Sequence, residues 1–315
     1  MAGKGARPRL AGIQVSVAAT LSLALLATPA LAATGGAPTA AGGPPPPDSP
    51  SGSPAAGSPS AGALTLLSAR ATPRKSFYYG FRYPSLRFAI ESTQAQNDLQ
   101  VDVVDGRGAV VRSFYRNDVA PGTELRIRWD GTTGEGRPAR NGRYSFRIGP
   151  QVAAARKARP TVPSRETVSL DFSLYGYAFP VLGPHDYGGS GAVFGAGRSG
   201  HTHQGHDVMA RCGTPLIAAR GGRVQFAGAH GAAGNYVVVD GKGTALDFMY
   251  AHLAEPSPLR TGDLVRTAQP IGIVGDTGSA TACHLHFEIW SSPGWYEGGS
   301  PIDPLRHLKR WDRYS

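Results

Sequence analysis

Cysteine is scarce in this 315-residue sequence, with Cys212 and Cys283 the only two. Neither follows the apolar stretch near the start, so a lipid-modified cysteine there is excluded. Charged residues make up only 17% of the chain, yet no segment beyond residue 33 is long and apolar enough to span a bilayer. Histidine is missing from the first 184 positions, and all nine lie between His185 and His307. Residues 70–172 hold no histidine, no cysteine and no clustered carboxylates, so no catalysis is assigned to them. Long helices are also disfavoured, because 43 glycines and 26 prolines punctuate the chain. An apolar content of 41% can still fill a core. These absences together point to an all-β fold.

What is present is unevenly distributed. The formal net charge of +10 suggests an anionic partner. Residues 70–172 carry 18 basic and 10 acidic side chains, whereas residues 173–315 carry 11 of each. The charge excess and the histidines therefore occupy different parts of the chain. Basic residues are not interleaved with aromatics as in a known nucleic-acid module, which argues against nucleic acid as the partner.

The first 32 residues read as a secretory signal. Lys4, Arg7 and Arg9 are basic, residues 15–26 are apolar and uncharged, and Ala30-Leu31-Ala32 offers a small-residue cleavage site. The competing reading is an uncleaved membrane anchor. Export to the cell envelope or beyond follows from either. Residues 33–69, rich in Ala, Gly, Pro and Ser, read as an extended linker that gives reach.

Residues 70–172 break into short alternating runs separated by turn residues. Leu99, Val101 and Val103 alternate ahead of the Asp105-Gly106 turn, and Val110-Val111 leads to Phe114. Leu125, Ile127 and Trp129 form a further run, as do Tyr144, Phe146 and Ile148 after Asn141-Gly142. Strands this short and regular predict an immunoglobulin-like β-sandwich. The stretch from Val103 to Arg112, then Trp129-Asp130-Gly131, Gly136-Arg137 and Asn141-Gly142-Arg143-Tyr144, resembles the immunoglobulin-like domain of flagellar hook-capping proteins. Arg126, Arg128, Arg143 and Arg147 fall at alternate positions that would face solvent. They form either a plain solvated face or a surface for docking on an anionic wall polymer.

Residues 173–315 hold the candidate chemistry. His203 and Asp207 lie four apart around Gly205, His252 follows about 45 residues later, and His284, His286 and Glu288 close the set. On a strand, His284 and His286 share one face while Leu285 and Phe287 share the other. His203 and Asp207 can meet at one ion only if the chain turns between them, which Gly205 permits. Three nitrogen and oxygen ligands leaving one open position form the pattern of catalytic zinc. Such an ion acidifies water and polarises a carbonyl, and a further histidine can act as general base or oxyanion donor.

This segment resembles the lysostaphin-type zinc endopeptidases of peptidoglycan. The resemblance rests on Phe194-Gly195, residues 213–218, Gly234-Asn235-Tyr236-Val237, Tyr250-x-His252-Leu253, residues 274–278 and His284-Leu285-His286-Phe287-Glu288. It implies an antiparallel β-sheet catalytic domain of the duplicated hybrid type. It also implies that His203, Asp207 and His286 bind one Zn2+ per chain, with His252 and His284 as the catalytic pair. The family has an apolar residue where this chain has His206, which makes His206 an alternative ligand to His203. Adjacent residues of an extended run point oppositely, so His206 is a poor partner for Asp207.

His185, His201, His230 and His307 read as surface or rim residues, with His185 and His201 open as groove-lining candidates. Glu288 reads equally as a support for a site histidine or as a structural residue. In an exported chain, Cys212 and Cys283 favour a disulfide. The alternatives are a free buried pair and a thiolate metal site, the latter at odds with a complete His/Asp set.

The sequence thus predicts a secreted, monomeric zinc metalloendopeptidase that hydrolyses the stem peptide or cross-bridge of peptidoglycan. The alternative is a non-hydrolytic wall-binding protein or an activator of other wall hydrolases, which would be expected to lack one of the five site residues.

Overall fold

The computed structural model describes residues 64–151 and 169–315. The signal segment and most of the linker lie outside the described residues. Eight strands precede the histidine-rich segment: β1 (Leu64–Thr72), β2 (Lys75–Phe77), β3 (Ser85–Ser92), β4 (Asn97–Asp105), β5 (Val110–Val119), β6 (Leu125–Arg128), β7 (Gly142–Pro150) and β8 (Asp171–Tyr175). They form a three-stranded sheet in the order β1-β3-β6 and a five-stranded sheet in the order β2-β8-β7-β4-β5. All four expected alternating runs are strands. Leu86, Phe88 and Ile127 of one sheet share a core with Leu99, Val101, Phe146 and Phe172 of the other, and Trp129 is fully buried among them. The first strand begins at Leu64, inside the segment read as linker, and the last ends at Tyr175, past the expected boundary at 172. The apolar Leu64 and Leu66 explain the early start, because Leu66 is buried in this core.

Twelve further strands follow. They are β9 (His185–Asp186), β10 (Gly197–Arg198), β11 (His201–Thr202), β12 (His206–Ala210), β13 (Pro215–Ile217) and β14 (Gly222–His230). Next come β15 (Gly234–Gly241), β16 (Leu246–Leu253), β17 (Leu264–Val265), β18 (Pro270–Ile273), β19 (His284–Ser291) and β20 (Pro301–Ile302), before the closing helix α1 (Leu305–Asp312). The main sheet runs β17-β14-β15-β16-β19-β12-β9 with antiparallel neighbours. Period-two alternation decides its two faces. Leu285, Phe287 and Ile289 of β19 and Phe248 and Tyr250 of β16 point into a core closed by Leu308 and Trp311 of α1. The opposite face carries His284, His286 and Glu288.

The two cores meet through side chains far apart in sequence. Tyr175 stacks on Tyr314 with ring centroids 3.9 Å apart, and Thr267 Oγ1 donates to the Tyr78 carbonyl. Arg220, 2% exposed, lies over the Tyr78 ring and donates to the carbonyls of Gly176 and Lys242. No helix among the described residues is long and apolar enough to cross a membrane.

Candidate metal centre

The site is assembled by strand register. Asp207 of β12 pairs directly with His286 of β19, and His286 pairs with Ala251 of β16. Directly opposed residues have Cβ atoms only about 5 Å apart, so the carboxylate and the imidazole are neighbours by construction. His206 pairs with Phe287 instead, on the face that looks into the core. It is fully buried there and bonds the Tyr187 carbonyl through Nε2.

His203 reaches the same spot from the turn before β12. Gly205 makes the turn possible through close approach rather than an unusual φ. A Cβ at this position would sit 2.5 Å from the Phe287 carbonyl oxygen and 2.9 Å from the His286 ring.

His252 arrives by a route that alternation alone does not predict. On a regular strand it would point with Tyr250 into the core. The register of β15 against β16 slips between Asn235 and Val237, and His252 takes φ +62°. A bulge with one left-handed residue re-aims a side chain. Here it turns the imidazole to the site face, 4.7 Å from the His284 ring centroid and 5.7 Å from that of His286.

Hydrogen bonding fixes the tautomer of each ring. A carbonyl oxygen can only accept, so the ring nitrogen that meets it carries the proton. His203 Nδ1 lies 2.9 Å from the Val193 oxygen, His252 Nδ1 2.7 Å from that of Thr277, and His284 Nδ1 2.8 Å from that of Ala282. His286 Nε2 donates to Glu288 Oε1 at 2.8 Å. In the neutral rings, the nitrogen left facing the site is therefore a bare lone pair. Glu288 is itself held by Trp290 Nε1, 2.6 Å from Oε2. Arg198 Nη2 takes Asp207 Oδ2 at 3.2 Å, which leaves Oδ1 for the site.

Three of these acceptors converge. His203 Nε2, Asp207 Oδ1 and His286 Nδ1 stand 2.9–3.0 Å from one another. Three acceptors this close repel unless positive charge lies among them. A proton is one remedy. Burial works against a charged His286, but its bonds to Asp207 and Glu288 prevail and hold its pKa up at about 9. Burial likewise opposes ionisation of Asp207, yet the bonds from His203 and His286 keep it below the usual carboxylate range. A metal ion is the other remedy, since nitrogen and oxygen ligands at about 2 Å from one centre are the donor set zinc prefers. The residues present fit such an ion, and His203, Asp207 and His286 are the group among the described residues with metal-holding geometry.

The disulfide between Cys212 and Cys283, Cα atoms 5.2 Å apart, ties the end of β12 to the start of β19. It closes a loop of 71 residues, a length for which chain entropy suggests about 4 kcal/mol of stabilisation. Of the remaining histidines, His185 is turned away from the cleft. It packs on Phe179 and bonds Asp312 at 3.3 Å, while His201 is exposed on the β10–β11 hairpin. Glu288 thus takes the supporting role that the sequence had left open beside a structural one, whereas the hold of Arg198 on Asp207 was not legible in the sequence.

Comparison with known proteins points the same way. The sequence model of peptidase family M23 matches residues 201–304, which contain all five site residues. The DD-carboxypeptidase/endopeptidase Mpg of Neisseria meningitidis serogroup B is 35% identical over 103 residues, covering 33% of this chain and 22% of that protein. The peptidoglycan DD-endopeptidase ShyC of Vibrio cholerae is 38% identical over 87 residues, 28% of this chain and 20% of the relative. The chain thus spans about a fifth of the length of these curated relatives. Among solved structures, the antimicrobial peptidase lysostaphin from Staphylococcus simulans is similar at 27% identity, covering 44% of this chain and 56% of that one with a TM-score of 0.38.

Proposed function

We propose that this protein, whose residues 201–304 match peptidase family M23, is an exported, zinc-dependent endopeptidase that cuts the peptide part of bacterial peptidoglycan. The observation that carries this reading is the gathering of one carboxylate and four imidazoles on one sheet face, with His203 Nε2, Asp207 Oδ1 and His286 Nδ1 within 3.0 Å of one another and the His252 and His284 rings beside them.

His203, Asp207 and His286 would hold one zinc ion. When bound, the ion would supply Lewis acidity, polarising the scissile carbonyl and acidifying a water. His252 is suited to take up the proton. Burial pushes its pKa down to about 4, so the ring is neutral at physiological pH, and its Nδ1 bond to Thr277 leaves Nε2 as the base. A ring protonated at Nε2 becomes a donor, able to serve the leaving amine or the developing oxyanion. His284 has the same tautomer and stands beside it. The substrate would be an extended peptide rich in glycine or D-amino acids, whose small residues let its backbone approach the ion.

The alternative, a wall-binding protein or activator without hydrolysis, is weakened by the same observation, since all five side chains are present and assembled. Digestion of purified walls with the mature protein, followed by mass analysis of the fragments, tests the choice. New peptide termini that vanish with chelator and return with zinc are expected. Chelator-insensitive cleavage, or intact walls with zinc-loaded protein, would reject the proposal.

A further inference from the structure

The two sheets of the N-terminal sandwich each end in a free edge, β5 in one and β6 in the other. Where these edges face each other there is an open cavity of about 320 Å³, lined by Tyr83, Arg112, Phe114, Arg128 and Asp130. Its volume is in the range of small-ligand sites. One arginine comes from each edge. Arg112 lies 5.9 Å from the Phe114 ring centroid and Arg128 lies 4.8 Å from that of Tyr83.

Arginines on edge strands can serve merely to block strand pairing. Three features set these two apart. They converge from opposite sheets on one cavity. Each guanidinium is steadied against an aromatic ring, which leaves N–H groups for a ligand. No carboxylate among the described residues forms an ion pair with either. Asp130, the one acid in the lining, spends Oδ1 on the backbone and hydroxyl of Thr132, at 3.0 and 2.6 Å. Arg112 also donates one N–H to the Thr133 carbonyl at 3.0 Å, which fixes its side chain without neutralising it.

We propose that this seam is a binding site for a phosphodiester group of an anionic wall polymer, and so holds the enzyme on its substrate. A phosphodiester carries two non-bridging oxygens, one for each guanidinium, in the planar fork geometry that arginine matches. Because one face of each ring already carries a guanidinium, the charged groups of the seam favour an anion. The cavity is open to the surface, so a polymer can lie across it without presenting an end.

The choice of polymer rests on the wall-peptidase reading, and the test separates the two. Full-length mature protein is sedimented with intact walls and with walls stripped of phosphate polymer by acid, over a salt series. The double substitution Arg112→Gln/Arg128→Gln is expected to lower retention on intact walls at least about tenfold. Arg126→Gln/Arg143→Gln, an equal loss of charge elsewhere on the sandwich, is expected to change retention little. Arg112→Lys/Arg128→Lys, which keeps the charge but not the fork, is expected to fall between them. Stripped walls should retain all four proteins weakly. Thermal melting confirms that each variant is folded, and hydrolysis of a soluble wall peptide is read in parallel. Equal losses in both Gln pairs, full retention by the Lys pair, or undiminished binding to stripped walls would overturn the seam site. Absence of hydrolysis by zinc-loaded wild type, with retention intact, would count against the peptidase reading instead.

Discussion

The sandwich and the histidine-bearing sheet are built by the same rule and use it to different ends. In both, strands alternate a buried apolar face with an outward one, and the cores are of similar make: Ile127, Val101 and Ile148 in one, Leu285, Phe287 and Ile289 in the other. The outward faces differ. The sandwich displays arginines at the surface, such as Arg126, Arg128 and Arg143. The C-terminal sheet covers its outward face with loops, so that His203, His252 and His284 are 5%, 9% and 8% exposed. Electrostatics act weakly in water and strongly once buried. A surface guanidinium can therefore attract and hold, whereas a buried imidazole can have its proton affinity set by neighbours. On the two proposals above, retention falls to one half of the molecule and chemistry to the other.

Substitutions that reach the donor triangle should break this contrast most severely. Asp207→Ala removes the charge that balances a bound cation, and both zinc content by metal analysis and wall hydrolysis should fall to background. His252→Ala should spare the metal but lower kcat/KM by about 10²–10⁴-fold, the range for a lost general base. Glu288→Gln keeps the shape but weakens the charge-assisted bond that orients His286. Zinc affinity measured by chelator competition should drop about 10–100-fold.

A smaller effect concerns pH. In metal-free protein the pKa of His286 is raised to about 9, above its ordinary value of about 6.5. The stability this contributes is fully present below pH 6.5 and is lost as pH rises through 9. Melting temperature of the metal-free protein should decline over that window. Zinc must displace the same proton, so zinc affinity should rise across it. At the bottom of the scale, Arg126→Gln should leave hydrolysis of a soluble wall peptide within about twofold, as expected of a surface change far from the site. A large loss there would mean that the two halves do not divide the work.

Much of this arrangement could be read from the chain itself. Alternation in His284-Leu285-His286-Phe287-Glu288 is a two-residue pattern, and Gly205 between His203 and Asp207 announced a close turn. The four sandwich strands were likewise periodic. What stayed hidden depends on partners distant in sequence. The bulge that turns His252 arises from its register with β15, and the pairing of Asp207 with His286 joins residues 79 apart. The tautomers follow from the carbonyls of Val193, Thr277 and Ala282, which no side-chain pattern encodes. The arginine seam exists because two edge strands, separated in the chain, happen to face one another. Leu64 and Leu66 looked like the tail of a linker because a half-buried edge strand carries little alternation of its own.

The central claim is that three side chains hold one metal ion while two neighbouring histidines do not. Zinc bound per chain after dialysis, measured on wild type, His203→Ala, Asp207→Ala, His286→Ala, His252→Ala and His284→Ala, tests it most directly. One equivalent is expected in wild type and in the His252 and His284 variants, with strong loss in the other three. An equivalent of zinc retained without His203 or His286, or none bound by wild type, would contradict the account.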